Sequence, residues 1–450
     1  MPNYKKLAKS YEKNAILALQ KFIRIPSVYD ASTIGEGQPY GANVKKALDY
    51  FAKLGEDYGF KVDRCDGYAT ELTIGDKGPL IGIYGHSDVV PATGSWTNPP
   101  FSATIKDGVI YGRGACDDKG PLLAAFFAVK LLKDNGWLDG FRVKIVSGGD
   151  EERGSSCLRY YFEKHHGEEP KFGFTPDANW PLIYAEKGIT NGFLTKEITL
   201  GPVIAMDGGV VKNAVCDSVL VTLPPDAKFV SYLKEKKVSC DINSSPVLLT
   251  VRFIGKTAHG STPELGQNAA KAAFAALGEF YHIDFLTKLS KVLDPHGESF
   301  HGNMVSPELG EVTYNYGIVR YDGKTLRLSL DMRYGEKADA EKLLASLQKA
   351  TDMTFEVGSV TPYLLYDRSS TLVSTLMKAY KRETLQLFAK PLAIGGGTYA
   401  KEAKNTVAFG AEWPGHPGNM HSPDEYIYIA DFIKDIAIYA RAIRLLGKAA

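Results

Sequence analysis

The sequence predicts an α/β protein in which a mainly parallel-sheet domain is split by an inserted α+β domain. Three observations carry this prediction. At 450 residues the chain exceeds the usual size of one compact core. From "GPLIGIYGH" through "PLLAAFFAVKLLKDNG" to "FRVKIVSGGDEE", short β-type runs alternate with helical patterns, as strands joined by crossover helices do. Near "AEKGITNGFLTKEITL" that character gives way to β-rich pieces mixed with helices, and beyond about Tyr366 it returns. The expected boundaries are 1–186 for the first part of the α/β domain, 187–366 for the insertion and 367–450 for the second part.

Each element has a local reason. The opening "NYKKLAKSYEKNAILALQKFIRI" reads as an amphipathic helix that ends before Pro26. In the third helical segment Pro121 stands where an early helical residue is tolerated. Leu122, Ala125, Phe126, Val129 and Leu132 then recur at helical spacing, with Gly136 past the end. Within the insertion, "SPVLLTVRFIG" and "KTLRLSLDMRY" read as strands and "GQNAAKAAFAALGEF" as a helix. The last region holds the glycine cluster "AIGGGTYAK", a short apolar "TVAFGA" and a closing amphipathic helix, "IADFIKDIAIYARAIRLL".

Composition excludes several function classes. Hydrophobic residues at 44%, charged residues at 23% and a formal charge of +1 leave no general electrostatic pull toward nucleic acid or a membrane surface. No apolar run approaches the roughly 18 residues of a membrane span, and the start lacks the pattern of a secretory signal. The five cysteines, Cys65, Cys116, Cys157, Cys216 and Cys240, show no C-x-x-C spacing, so neither a disulfide framework nor a cysteine zinc site is expected. A reducing cytoplasm is the expected location, and a small molecule the expected partner.

In open α/β sheets, ligands collect beyond the carboxyl ends of the strands. Five places there carry chemistry: His86 and Asp88 in "IYGHSDVVP", Asp117 and Asp118 in "GRGACDDKG", Glu151 and Glu152 in "GGDEERGSS", Asp177 in "FTPDANW", and His421 in "NMHSPDE". Any one of these is unremarkable, since a lone histidine is more often structural and an acidic pair more often a solvated loop. Together, several carboxylates and two histidines converging on one crevice would repel one another unless cations neutralised them. Imidazole with carboxylate favours zinc, with manganese or cobalt as alternatives.

The motifs "GHSDVVP", "GRGACDDKGP", "DEERGS", "TPDANWP", "TAHGSTPE" and "GGGTYAK", in this order, resemble the dinuclear-zinc metallopeptidase family of aminoacylases, glutamate carboxypeptidases, desuccinylases and carnosinases. The similarity runs over nearly the whole chain and is closest to bacterial dipeptidases of the carnosinase type, called dipeptidase V. The resemblance implies a catalytic domain split by an inserted lid domain. It implies that His86 and Asp177 hold one ion, Glu152 and His421 the other, and that Asp117 bridges both. Asp88 would orient His86, and Glu151 would be the general base for the water between the ions. Adjacent residues in an extended segment point opposite ways, which would let Glu151 and Glu152 serve different partners. The family also often has a cis peptide after the residue matching Asp117.

From the insertion, His259 resembles the lid histidine that stabilises an oxyanion. Asn213 and Arg333 resemble groups that grip the substrate, with a turn residue and a strand-surface charge as their structural alternatives. Gly395, Gly396, Gly397 and Thr398 form a loop suited to capturing a peptide carboxylate. His165, His166, His282, His296, His301 and His416 match no ligand position. The expected activity is hydrolysis of dipeptides with a free amino terminus by a monomer. The alternatives are an N-acyl amino acid deacylase or desuccinylase using the same centre and, from another class, a non-catalytic peptide-binding protein.

Overall fold

In the computed structural model, which describes residues 2–450, the chain forms two compact units. The first takes the described residues 2–184, Tyr366–Leu392 and Thr398–Ala450; the second takes Ala185–Leu365 and Ala393–Gly397.

The first unit is built on a mixed sheet. Its centre is parallel: Leu80–His86 pairs with Arg142–Gly148 on one side and with Phe172–Thr175 on the other, and Thr406–Ala408 continues parallel to Phe172–Thr175. The margins are antiparallel, with Ala69–Ile74 and then Lys61–Asp63 beyond Arg142–Gly148, and Ile183 against Ala408 at the far side. Leu80–His86 is buried along its whole length and reads as a nearly unbroken apolar run, and Arg142–Gly148 is buried from Val143 onward although it carries Lys144 and Ser147. Residues facing one way, among them Tyr84 and Val146, join a core with Tyr40, Val44, Leu48 and Tyr161. Toward the other face lies Lys119–Asp134, against which Tyr4–Ile23 and Ile429–Ala449 pack.

The Lys119–Asp134 helix is apolar all round, as a central buried helix must be. It begins two residues before Pro121, with Asp118 at its N-cap. The proline still falls in the first turn, where backbone N–H groups have no intrahelical acceptor to lose. Asn135 ends the helix and Gly136 follows at φ +64°, the left-handed conformation that releases the chain.

The second unit is α+β. Its sheet runs Cys240–Ser244, Leu249–Ile254, Ser218–Leu223, Ala205–Gly208, Val319–Tyr321, Thr325–Tyr334, Gly188–Glu197 and Thr354–Thr361, and these pairings are antiparallel. Burial alternates along Ser218–Leu223 and Gly188–Glu197, so one face is covered. The cover comes from Ala227–Glu235, Ala269–Phe280, Asp284–Val292 and Ala340–Thr351, whose Phe229, Phe274, Leu286, Leu289 and Leu347 pack with the strand residues Val219, Val221, Val251 and Leu328. No helix among the described residues is long and apolar enough to cross a membrane.

Candidate metal centre

Three parallel strands end side by side in the first unit, and each delivers part of the site at or just past its last residue. His86 ends Leu80–His86 and lies opposite Gly148 in the parallel register. Glu151 and Glu152 follow Arg142–Gly148, and Asp177 follows Phe172–Thr175. Asp117 arrives on the loop entering Lys119–Asp134, and His421 on the loop before Tyr426–Tyr428.

The side chains meet. His86 Nε2 lies 3.0 Å from Asp117 Oδ1 and 3.6 Å from Asp177 Oδ2. His421 Nε2 lies 2.8 Å from Asp117 Oδ2 and 3.1 Å from Glu152 Oε2. Asp117 thus turns one oxygen to each imidazole. Two sets of potential ligand atoms lie within 4.8 Å of one another, His86 with Asp117 and Glu152, and His86 with Glu151 and Asp177. His86 is fully buried at the floor, whereas the His421 side chain is 52% exposed at the rim, its backbone in the left-handed region at φ +58°.

The electrostatics show what this crowding costs without cations. Burial, together with the charge of Asp177, raises Glu151 well above the carboxylate range; burial and the charge of Asp117 raise Glu152 and push Asp177 up to about 7. Burial acts against ionisation of Asp117 too, but its contacts with His421 and His86 hold it below the ordinary value. His421 is pushed up to about 11 by hydrogen bonds to Asp117 and Glu152. Burial opposes charging of His86, yet Asp117 and Asp88 outweigh it and raise it. A cluster of four buried or half-buried carboxyls and two imidazoles, with oxygen and nitrogen donors and no sulfur, is a donor set that fits divalent zinc, manganese or cobalt.

The supports around the site differ in part from the sequence expectation. His86 Nδ1 donates to the backbone carbonyl of Asp88 at 3.0 Å, while the Asp88 carboxylate stands 3.4 Å away. A carbonyl only accepts, so Nδ1 carries a proton and Nε2 is the nitrogen that faces the cluster. The Asp88 carboxylate also accepts the N–H groups of Glu151 at 3.1 Å and Glu152 at 3.2 Å. Those two glutamates are in a turn, closed by Gly154 N–H to Glu151 O, and not in the extended segment expected; Glu152 groups with His86 and Asp117, and Glu151 with His86 and Asp177. Asp118 accepts the His86 N–H at 3.0 Å, a contact that a side chain at Gly85 would obstruct, and the Asp117–Asp118 peptide is cis.

Two residues that sequence reasoning did not single out are prominent here. Glu425, the last residue of "NMHSPDE", accepts the N–H groups of Cys116 and Asp117 at 3.1 and 3.3 Å and pairs with Arg113. Their only sequence signal was position inside motifs read for other letters. His416, close to His421 in sequence, is engaged with Asp431 and does not enter the cluster contacts.

The remaining expected residues lie mostly in the second unit. An isolated bridge joins Ala214 to His259, with Gly260 N–H donating to Asn213 O at 2.7 Å, so Asn213 and His259 are neighbours there. Ser261 N–H donates to His259 Nδ1 at 3.2 Å, which places the ring proton on Nε2. Arg333 is neither exposed nor turned to solvent as a strand-surface charge would be. It is 5% exposed, holds Asp331 through Nε and Nη2 at 3.0 and 2.9 Å, and donates to Gly395 O at 2.7 Å. The glycine loop divides: Gly395, Gly396 and Gly397 belong with the second unit, whereas Thr398 belongs with the first and caps the turn Tyr399–Lys401 by accepting from Ala400 N–H at 3.2 Å.

A sheet whose parallel centre gathers a nitrogen and oxygen donor set at its strand ends, beside a further half-buried glutamate, has the arrangement of a metallohydrolase. The chain belongs to peptidase family M20/M25/M40, whose profile matches residues 82–445. It is similar to YtjP of Bacillus subtilis (strain 168), provisionally named a dipeptidase: 34% identity over 458 residues, covering 97% of this chain and 98% of the relative. A relative from Staphylococcus haemolyticus (strain JCSC1435), with the same kind of name, is 31% identical over 479 residues, 98% of each chain. Among solved structures, the dipeptidase Dug1p from Saccharomyces cerevisiae matches 99% of this chain and 98% of its own at TM-score 0.61 and 15% identity. Human carnosine dipeptidase 1 matches 100% and 99% at TM-score 0.58 and 14% identity. At such identities these two establish a shared fold.

Proposed function

We propose that this protein is a metal-dependent dipeptidase that hydrolyses the amide bond of dipeptides with a free amino terminus. The observation that carries this reading is the placing of Asp117 between two imidazoles, 3.0 Å from His86 and 2.8 Å from His421, in a chain whose relatives over nearly its whole length bear dipeptidase names.

In this reading His86 and Asp177 would hold one divalent ion and Glu152 and His421 a second, with Asp117 serving both; zinc is the first choice, with manganese or cobalt as alternatives. Such ions supply an acidified water and a Lewis acid for the amide carbonyl. Glu151 takes the proton of the attacking water and returns it to the leaving amine. Asp88 keeps both glutamates aimed by holding their N–H groups. His259, with its proton on Nε2, donates to the developing oxyanion. Asn213 and the Gly396, Gly397 and Thr398 loop hold the substrate. Arg333, which also ties Gly395 to the strand Thr325–Tyr334, grips the substrate with them.

The substrate is a small peptide, and the enzyme works as a monomer. Its five free cysteines suit a reducing cytoplasm. The test is turnover of an unblocked dipeptide against its N-acetylated counterpart by protein reconstituted with zinc, manganese or cobalt. Preference for the unblocked peptide is expected; preference for the acetylated one makes the enzyme a deacylase. Glu151→Gln should lower kcat at least about 100-fold with metal loading unchanged. Peptide binding without turnover, unaltered by that substitution, would leave only a binding protein.

A further inference from the structure

Glu425 stands four residues after His421 and is fully buried. Its Oε1 accepts the backbone N–H of Cys116 and of Asp117, and its Oε2 meets Arg113 Nη1 at 2.5 Å. Its own carbonyl accepts Gly112 N–H at 2.9 Å. One residue therefore grips the 112–117 segment at both ends. On its other side, Tyr426 pairs with Tyr111, and Tyr426 N–H donates to Gly418 O at 2.8 Å, closing the loop that carries His421. The peptide of Asp117 and the base of the His421 loop thus share one anchor.

Stability does not explain this anchor. A buried ion pair is often no better than an apolar pair of similar volume, and here Arg113 is left with Nε and Nη2 lacking hydrogen-bond partners while its guanidinium lies 5.2 Å above the Trp96 ring. What a carboxylate offers that an apolar side chain cannot is a two-lobed acceptor. It can hold two consecutive peptide N–H groups and a guanidinium at once.

We propose that Glu425, with Arg113 as its counter-charge, is a positioning residue of the metal centre, holding Asp117 and the His421 loop at the spacing that two ions require. The inference rests on the reading of Asp117 and His421 as ligands. Without the anchor the Asp117 peptide is free to rotate about its entry loop and the His421 loop loses its tie to it, so both ions should bind more weakly.

The experiment is a competitive chelator titration of zinc into metal-free wild type and Glu425→Gln, alongside thermal unfolding of the metal-free proteins. Wild type should load two ions. Glu425→Gln should load them with affinity lowered about 10- to 100-fold, the range for loss of a group that orients a ligand, and its kcat should recover in excess metal. A merely structural role would lower the metal-free melting temperature and leave metal affinity within twofold, which overturns the proposal. If Glu425→Gln does not fold, the double variant Arg113→Met with Glu425→Met replaces the pair by apolar side chains of similar volume. Wild-type zinc affinity in that folded variant overturns the proposal equally. A wild type that binds no zinc, manganese or cobalt would instead overturn the metal reading itself.

Discussion

Replacing Asp88 by Asn isolates the part of the site that aims the two glutamates. The carboxylate accepts Glu151 N–H at 3.1 Å and Glu152 N–H at 3.2 Å, one on each oxygen. Asparagine keeps the shape but offers one acceptor, so one N–H would face an amide NH2 group. A hydrogen bond to a charged acceptor contributes about 1.5–3 kcal/mol, and about 1.4 kcal/mol is tenfold in an equilibrium constant. The expected loss is therefore about 10- to 100-fold in kcat/KM, with zinc affinity falling through Glu152. The His86 ring should keep its orientation, because its Nδ1 is held by the Asp88 backbone carbonyl, which the substitution spares. Steady-state kinetics with an unblocked dipeptide and a chelator titration measure the two effects. A folded Asp88→Asn enzyme within threefold of wild type in both would refute the argument that this carboxylate sets the turn.

Other perturbations probe the frame. Asp435 is fully buried, its Oδ1 accepting the indole N–H groups of Trp180 and Trp413, both at 3.0 Å, while Oδ2 has no partner. Burial, helped by the charge of Asp431, raises its carboxyl well above the unfolded value. The folded protein then keeps a proton that the unfolded chain loses, so this contribution is complete below about pH 4 and declines as pH rises toward the folded pKa, by up to about 1.4 kcal/mol per pH unit. Asp435→Asn should remove that slope from a melting-temperature series on metal-free protein, and an unchanged slope would be contrary evidence. Phe126 is fully buried among Phe51, Phe60, Tyr58 and Phe127, with ring centroids 5.2–6.0 Å away. Phe126→Ala should cost about 3–5 kcal/mol by denaturant unfolding.

Much of the frame was legible from local pattern. The unbroken apolar run ending at His86 reads as a strand buried on both faces, and the helical spacing after Pro121 reads as its crossover; both are properties of a few consecutive residues. The separate carboxylates and histidines were recognisable because each closes a strand or a glycine-rich loop, where a parallel sheet exposes polar groups. The state of the Glu151–Glu152 segment was not legible. Adjacent acids fit a strand or a turn equally well, and the choice depends on the Asp88 carboxylate, more than sixty residues earlier in the chain, reaching their N–H groups.

Arg333 and Glu425 make the same point from opposite directions. In sequence the first looked like a group for substrate and the second like one more letter of a loop. What each charge meets in the folded chain is set by partners brought together across the fold: Asp331 and Gly395 for Arg333, and Arg113 with the Asp117 peptide for Glu425. The sequence by itself determined the order of the elements, the donor types and the family, because these depend on residue identity and short-range periodicity. Only the tertiary structure decided which nitrogen of His86 faces the cluster and what each buried carboxylate does, because hydrogen bonds act over about 3 Å between groups that may lie hundreds of residues apart along the chain.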